Sequence, residues 1–244
     1  VNSYGKTTSG ELTFPQLLHR LNDVEALERI RFTTSHPQDL SPELNEAYAT
    51  LKLLCEHLHL PVQSGSDAVL QRMRRGYTRG EYLDRIGRLR QRCPEVALST
   101  DIIVGFPGET EADFAETLEI LNEVEYDEIF AFSFSPRPQT AAAKMYPDDV
   151  PNETKSRRLE IVLNLQQEIS LRKNKERIAC IEEILIEGPS KLGRGQVMGR
   201  TRTNRIVNAL GPESLVGEMV PVRITGASAN SLGGEILKVD QRGV

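Results

Sequence analysis

Between residues 29 and about 134, short apolar runs alternate with longer stretches whose apolar residues recur at helical spacing. Arg29–Thr34, Leu58–Val62, Leu98–Val104 and Ile129–Phe134 are strand candidates, spaced roughly one βα unit apart. The stretches between them carry helix start signals. Thr78-x-x-Glu81 is a capping box ahead of Leu83, Ile86 and Leu89 on one face. Thr110-x-x-Asp113 precedes Phe114, Leu118 and Leu121, and Ser66-Asp67 is placed to cap a helix holding Val69, Leu70 and Met73. Strand, loop and capped helix in repetition predict a parallel α/β architecture, part of a barrel or of a doubly wound sheet. Periodicity alone does not choose between the two.

The pattern breaks at residues 136–152, where Pro136, Pro138, Pro147 and Pro151 punctuate the chain. A charged helix is expected from about Glu153 to Arg177. From Ile181 the texture changes to five short β-like runs: 181–187, 195–199, 205–210, 216–225 and 235–240. Five strands in so short a stretch predict a small OB-like barrel. Two domains are expected, residues 1–177 and 178–244.

Composition narrows the class. With 39% hydrophobic and 27% charged residues the chain is an ordinary globular one, with no apolar run near the roughly 18 residues a membrane helix needs. Val1-Asn2-Ser3-Tyr4-Gly5 has neither the basic start nor the apolar stretch of a signal peptide, nor an initiator Met. The expectation is a cytoplasmic protein whose chain begins inside a longer one or was trimmed. Cys55, Cys93 and Cys180 lie far apart, which excludes a disulfide scaffold and fits a reducing compartment. A net charge of −5 confines any nucleic-acid surface to a local patch.

In parallel α/β folds ligands sit at the C-terminal ends of the strands. After the second strand candidate comes Gln63-Ser64-Gly65-Ser66, where an amide, two hydroxyls and a glycine suit ribose hydroxyls or an amino-acid carboxylate. Ser66 serves equally well as a plain helix cap. After the third comes Gly105-Phe106-Pro107-Gly108, a rigid turn in which Phe106 offers a surface to a flat ring. It lacks the lysine of a phosphate-binding P-loop, and a plain turn before a capped helix explains it as well. His57 and His59 alternate along a strand, but no carboxylate or cysteine nearby completes a metal set. No nucleophile–base arrangement is recognisable, so no catalytic residue is assigned.

Taken in order, these loops carry a resemblance. Asn2-Ser3-Tyr4-Gly5, Arg31-Phe32-Thr33-Thr34-Ser35-His36-Pro37 and His59-Leu60-Pro61-Val62-Gln63-Ser64-Gly65-Ser66 come first. Met73-Arg74-Arg75-Gly76-Tyr77-Thr78, residues 99–110 and Ser135-Pro136-Arg137-Pro138 follow. The set resembles the tRNA-2-methylthio-N6-dimethylallyladenosine synthase family of radical S-adenosylmethionine methylthiotransferases. The stretch 199–204 with the strands around it is similar to that family's C-terminal TRAM domain. The Thr-Ser-His-Pro segment favours the tRNA enzymes over the related ribosomal-protein methylthiotransferases.

The resemblance implies a partial radical SAM (β/α) barrel followed by the small β-barrel, S-adenosylmethionine and 4Fe–4S clusters as cofactors, and tRNA as partner to a monomer. It implies methylthiolation of the isopentenylated adenosine beside the anticodon. Gln63, Ser64, Gly65 and Ser66 would face the methionine or ribose part of the cofactor, and Gly105, Phe106, Pro107 and Gly108 its adenine. Arg75 and Arg137 would face the substrate nucleotide. Lys191, Arg194, Arg200, Arg202 and Arg205 would meet RNA phosphates, with no aromatic stacking platform beside them. The family's cluster cysteines have no counterpart here, since Cys55, Cys93 and Cys180 do not converge. The chain alone is therefore expected to be inactive; a non-catalytic RNA-binding module is the alternative. Gln139 stands where the family usually has glycine, which is expected to alter that turn.

Overall fold

The computed structural model describes residues 1–6, 11–33, 35–191, 193 and 195–237. Its packing divides into two units, Val1–Gln166 and Gln167–Val244.

The first unit is built on a three-stranded parallel sheet, β1 (His57–His59), β2 (Ala97–Val104) and β3 (Glu128–Ser133), in that spatial order. Leu58, Leu98, Ile102, Val104, Ile129 and Ala131 point to one face and join the main core. The opposite face carries His57, His59, Ser99, Asp101, Phe130 and Phe132. Parallel sheets are normally apolar on both sides, so a polar and half-open second face marks where a ligand belongs.

Helices cover the core face, and the caps of three of them were legible in the sequence. α1 (Phe14–Asn22) and α2 (Pro42–Thr50) precede β1. Ser66 starts α3 (Asp67–Arg72), accepting from the Val69 amide. Thr78 with Glu81 starts α4 (Arg79–Arg92), and Thr110 with Asp113 starts α5 (Glu111–Val124), both as full capping boxes. α6 (Ala141–Met145) is a short turn inside the proline-rich segment, and α7 (Asn152–Lys175) is the charged helix.

Two expectations are corrected. Arg29–Thr34 is not a strand: among its described residues only Ile30 pairs, in a single bridge to Leu54. Its partner lies in the turn before β1, so no ladder forms, and Thr34 lies outside the described residues. The second strand stops at His59 because Pro61 has no amide to give the ladder. Thr100 Oγ1 accepts the Val62 amide at 2.9 Å in its place. Pairing then resumes at one bridge, Gln63 to Ile102.

The second unit is a closed barrel of β4 (Ile181–Pro189), β5 (Gln196–Thr201), β6 (Ile206–Leu210), β7 (Met219–Ala227) and β8 (Leu232–Ile236). The ring runs β4-β5-β6-β8-β7, with β7 pairing back to β4 and β8 lying parallel to β6. Alternate residues fill it, among them Ile184, Ile186, Val197, Val207, Val222 and Ile224. All five expected strands form. The last begins three residues earlier than its apolar run indicated, and residues 238–240 of that run lie outside the described residues.

Candidate functional site

At the C-terminal ends of the three parallel strands lies an open cavity of about 240 Å³, lined by Gln63, Arg72–Arg75, Ile103, Phe106, Phe134, Ala142, Met145 and Tyr146. Its size is just below the roughly 300–1,000 Å³ of ordinary small-molecule sites. The loop after β1 supplies Gln63, whose backbone sits at φ +77°. A non-glycine residue in that region costs on the order of 1–2 kcal/mol. Two sheet bonds hold it there: Gln63 N to Asp101 O and Ile103 N to Gln63 O, both 2.9 Å.

The loop after β2 supplies the aromatic wall. Phe106 packs edge-on against Phe134 with ring centres 5.0 Å apart, and against Tyr146 at 6.1 Å. Gly105 turns at φ +69°, with the Lys155 stem so close that an added Cβ would lie 2.3 Å from it. Its amide donates to Glu109 Oε2 at 2.7 Å. Glu109 is buried and in turn meets the buried Arg158 at 2.6 Å. Burial pushes the Glu109 carboxyl above its usual range; the Gly105 amide and Arg158 pull the other way without cancelling it. Gly108 is held on both sides, its amide by Asp149 at 2.7 Å and its carbonyl by Arg72 at 2.9 Å. Pro107 lies inside the turn that the Glu109 amide closes on Phe106 O at 2.9 Å.

Gln63 and Phe106 therefore reach the cavity, but Ser64, Gly65 and Ser66 do not face it. Ser64 is fully buried, 3.3 Å from Thr117 Oγ1, and the Gly65 amide donates to the same oxygen at 3.0 Å. Ser66 caps α3 and donates to Asp113. The hydroxyls tie the loop to α5; a side chain at residue 65 would meet the Glu116 carbonyl at 2.2 Å. Arg75 borders the cavity, donates from Nε to the Tyr77 hydroxyl at 3.1 Å and lies over its ring. Arg137 is exposed and does not line the cavity. Gln139 takes φ +72°, the conformation for which glycine is suited.

Ile103, Met145 and Tyr146 also line the cavity, and their residue types carry no chemical signal that pattern alone could read. The buried Glu109–Arg158 pair was equally silent. Asp101 did leave a trace, as the one charge inside the Leu98–Val104 strand candidate.

In the barrel unit the basic residues divide between two turns. Arg200, Arg202 and Arg205 gather around the β5–β6 turn. There Arg200 meets Glu187 at 3.2 Å, and Arg205 donates to Asn174 at 3.2 Å and to Thr203 at 2.8 Å. Lys191 sits in the β4–β5 connection at the other end of β5, a strand length or roughly 20 Å away. Arg194 lies outside the described residues.

Comparison with known proteins gives these features a family. Residues 2–121 match the radical SAM superfamily, and residues 181–237 match the TRAM domain. A tRNA-2-methylthio-N(6)-dimethylallyladenosine synthase from Syntrophobacter fumaroxidans is 51% identical over 97% of this chain and 52% of its own length. One of the same name from Syntrophotalea carbinolica is 52% identical over 96% of the chain and 53% of its own. A solved structure described as coproporphyrinogen III oxidase from Escherichia coli, a radical SAM enzyme, aligns at 14% identity. It covers 83% of this chain and 50% of that one, with a TM-score of 0.46. The fold and matches define a radical SAM protein with an appended TRAM domain. Within that class the chain belongs to the family of tRNA-2-methylthio-N6-dimethylallyladenosine synthases. It spans about half the length of the curated relatives it matches. No helix among the described residues is long and apolar enough to cross a membrane.

Proposed function

We propose that the protein takes part in radical S-adenosylmethionine-dependent methylthiolation of the isopentenylated adenosine beside the anticodon of tRNA, acting in the cytoplasm as a monomer. The observation that carries this reading is the cavity at the strand ends, where Gln63 faces the aromatic wall of Phe106 and Phe134 in a chain of this family. S-adenosylmethionine fits that surface chemically: a flat ring against the aromatics and polar groups against Gln63. With a cluster it supplies hydrogen-abstracting radical chemistry, while the protein supplies orientation.

In this reading Gln63 and Phe106 touch the cofactor directly. Ser64, Gly65, Ser66 and Pro107 act by fixing the two loops that carry them. Arg75 and Arg137 face the substrate nucleotide, and Lys191, Arg194, Arg200, Arg202 and Arg205 take RNA phosphates. The cluster is a separate matter. Cys55 and Cys93 are buried free thiols, Cys180 belongs to the other unit, and no group of metal-binding side chains occurs among the described residues. The described residues therefore do not supply its ligands, and no step is derived through it.

The test is anaerobic cluster reconstitution of the full-length gene product, incubation with tRNA and S-adenosylmethionine, and mass analysis of the digested nucleosides. A methylthio mass increment on the isopentenylated adenosine is the expected result. Unmodified tRNA from an iron-loaded protein would reject the reading.

A further inference from the structure

A second cavity, of about 440 Å³, opens between the end of β3 and the start of α7, and the reading above does not use it. The loop leaving β3 lines it with Ser133, Phe134 and Ser135, and the entry to α7 with Asp148, Lys155 and Ser156. Its size falls within the roughly 300–1,000 Å³ of small-molecule sites. The Lys155 side chain is only 3% exposed; its ammonium donates to Asp148 Oδ1 and lies 5.5 Å from the centre of the Phe134 ring. An ammonium carries three protons, so those contacts leave it donor capacity. Asp148 Oδ2 and the hydroxyls of Ser133, Ser135 and Ser156 have no hydrogen-bond partner among the described residues.

The charges decide what fits. Lys155 and Asp148 are the charged residues of the lining and offset each other, so a phosphate would meet a carboxylate along with the ammonium. A metal cation would meet the ammonium. The pair suits a neutral group that carries an acceptor and a donor side by side. Lys155 only donates, and Asp148, bonded through Oδ1, accepts at Oδ2. Their mutual bond holds donor and acceptor at a fixed spacing. Every nucleobase has such an edge: N1 beside N6–H in adenine, N3 beside N4–H in cytosine, O6 beside N1–H in guanine, O4 beside N3–H in uracil. Single-stranded RNA is recognised through those edges at unstacked bases, with aromatic side chains against their rings. Phe134 supplies the aromatic side here.

From this we infer that the cavity takes an unstacked base of the substrate RNA, a neighbour of the nucleotide to be modified, and that Asp148 and Lys155 read its edge. Phe134 lines both cavities, so an occupant of the second lies beside the occupant of the first. The nucleotide undergoing reaction must meet the reactive atom of the cofactor directly, which leaves a separate cavity to a flanking base. The inference rests on the reading of the protein as a tRNA-modifying enzyme and adds a second contact with that substrate.

The experiment measures binding of the full-length gene product to an anticodon stem-loop in which each loop nucleotide except the target is made abasic in turn. Wild type is expected to lose about tenfold or more at a flanking position, the value of one good charge-assisted hydrogen bond. Asp148→Asn must turn its oxygen to Lys155, which only donates, so an NH2 group replaces the free acceptor. It should bind the intact loop about tenfold more weakly, and the loop abasic at that position as wild type does. Ser156→Ala, at an exposed helix position, narrows the same loss with the fold intact. Equal abasic losses in wild type and both folded variants overturn the assignment, as does the lack of any position-specific loss in wild type. Uniform weakening of every loop with a flatter salt dependence marks a phosphate contact and overturns it too. Absence of binding to any stem-loop rejects the tRNA reading itself. Uncoupled losses in a protein that still methylthiolates reject the base pocket alone.

Discussion

The strand-end loops and the barrel's basic turn put charge to opposite uses. In the loops after β1 and β2 the polar groups are turned inward. Ser64, Ser66, Glu109 and Arg158 are buried and bonded, and they stiffen a surface whose exposed elements are Gln63 and an aromatic wall. Around the β5–β6 turn, Arg200 and Arg205 are partly open to water and bonded to neighbouring side chains. Buried groups fix geometry, at the risk of a large loss when one partner goes. Half-exposed cations give long-range attraction that tolerates small shifts and fades with salt. A site that must orient one small molecule and a surface that must attract a polyanion call for these different constructions.

Matched substitutions break the comparison most strongly. Glu109→Ala removes the buried partner of Arg158 and leaves it the exposed carboxylate of Glu111, so it should cost roughly 3 kcal/mol in urea unfolding of the first unit, the low end for a broken buried pair. Glu187→Ala removes the carboxylate beside the partly exposed Arg200, and its cost should stay within about 1 kcal/mol. Similar losses for both would mean that burial does not separate the two sites. Next, Gly65→Ala forces a methyl group against the Glu116 carbonyl and should destabilise by about 1–3 kcal/mol. An unchanged melt would show that the loop is not pinned to α5.

Arg200→Ala with Arg202→Ala should leave stability alone while weakening tRNA binding. If both residues meet phosphates, the slope of log K against log salt should flatten by about 1.5. Unaltered affinity and slope would remove this turn from the RNA surface. The smallest effect is expected at Gln139→Gly. Relief of its left-handed backbone, less the added freedom of the unfolded chain, should stabilise by about 0.5–1 kcal/mol in calorimetry. A loss of stability there would mean that the glutamine side chain makes up for its strain.

Much of this was legible in the chain, for identifiable reasons. Thr78 with Glu81, Thr110 with Asp113, and Ser66 are local devices, complete within four residues, and each caps the helix expected of it. The strands at β2 and β3 are rich in Ile, Val, Phe and Thr, residues that favour strands, and nothing nearby contradicts them. Arg29–Thr34 reads the same way, but a strand needs a partner, and its neighbour at Leu54 offers one bridge. α1 and α2 were not anticipated, although Thr13 with Gln16 and Ser41 before Pro42 start them. Ser64 and Ser66 show the deeper limit. A hydroxyl that binds a ligand and one that ties down a loop are the same letter in sequence, and only the position of Thr117 and Asp113 separates them. Gln139 was the opposite case: a residue out of place in the pattern, and a backbone that glycine would suit better.

The strand order of the barrel also sets a timetable. β8 lies between β6 and β7, and β4 waits for β7, so neither gap in the ring is filled by a local hairpin alone. Contacts between distant segments make folding slow relative to hairpin-built domains. During synthesis the ring stays open until Leu232–Ile236 has left the ribosome, so the barrel closes only after its last strand is released.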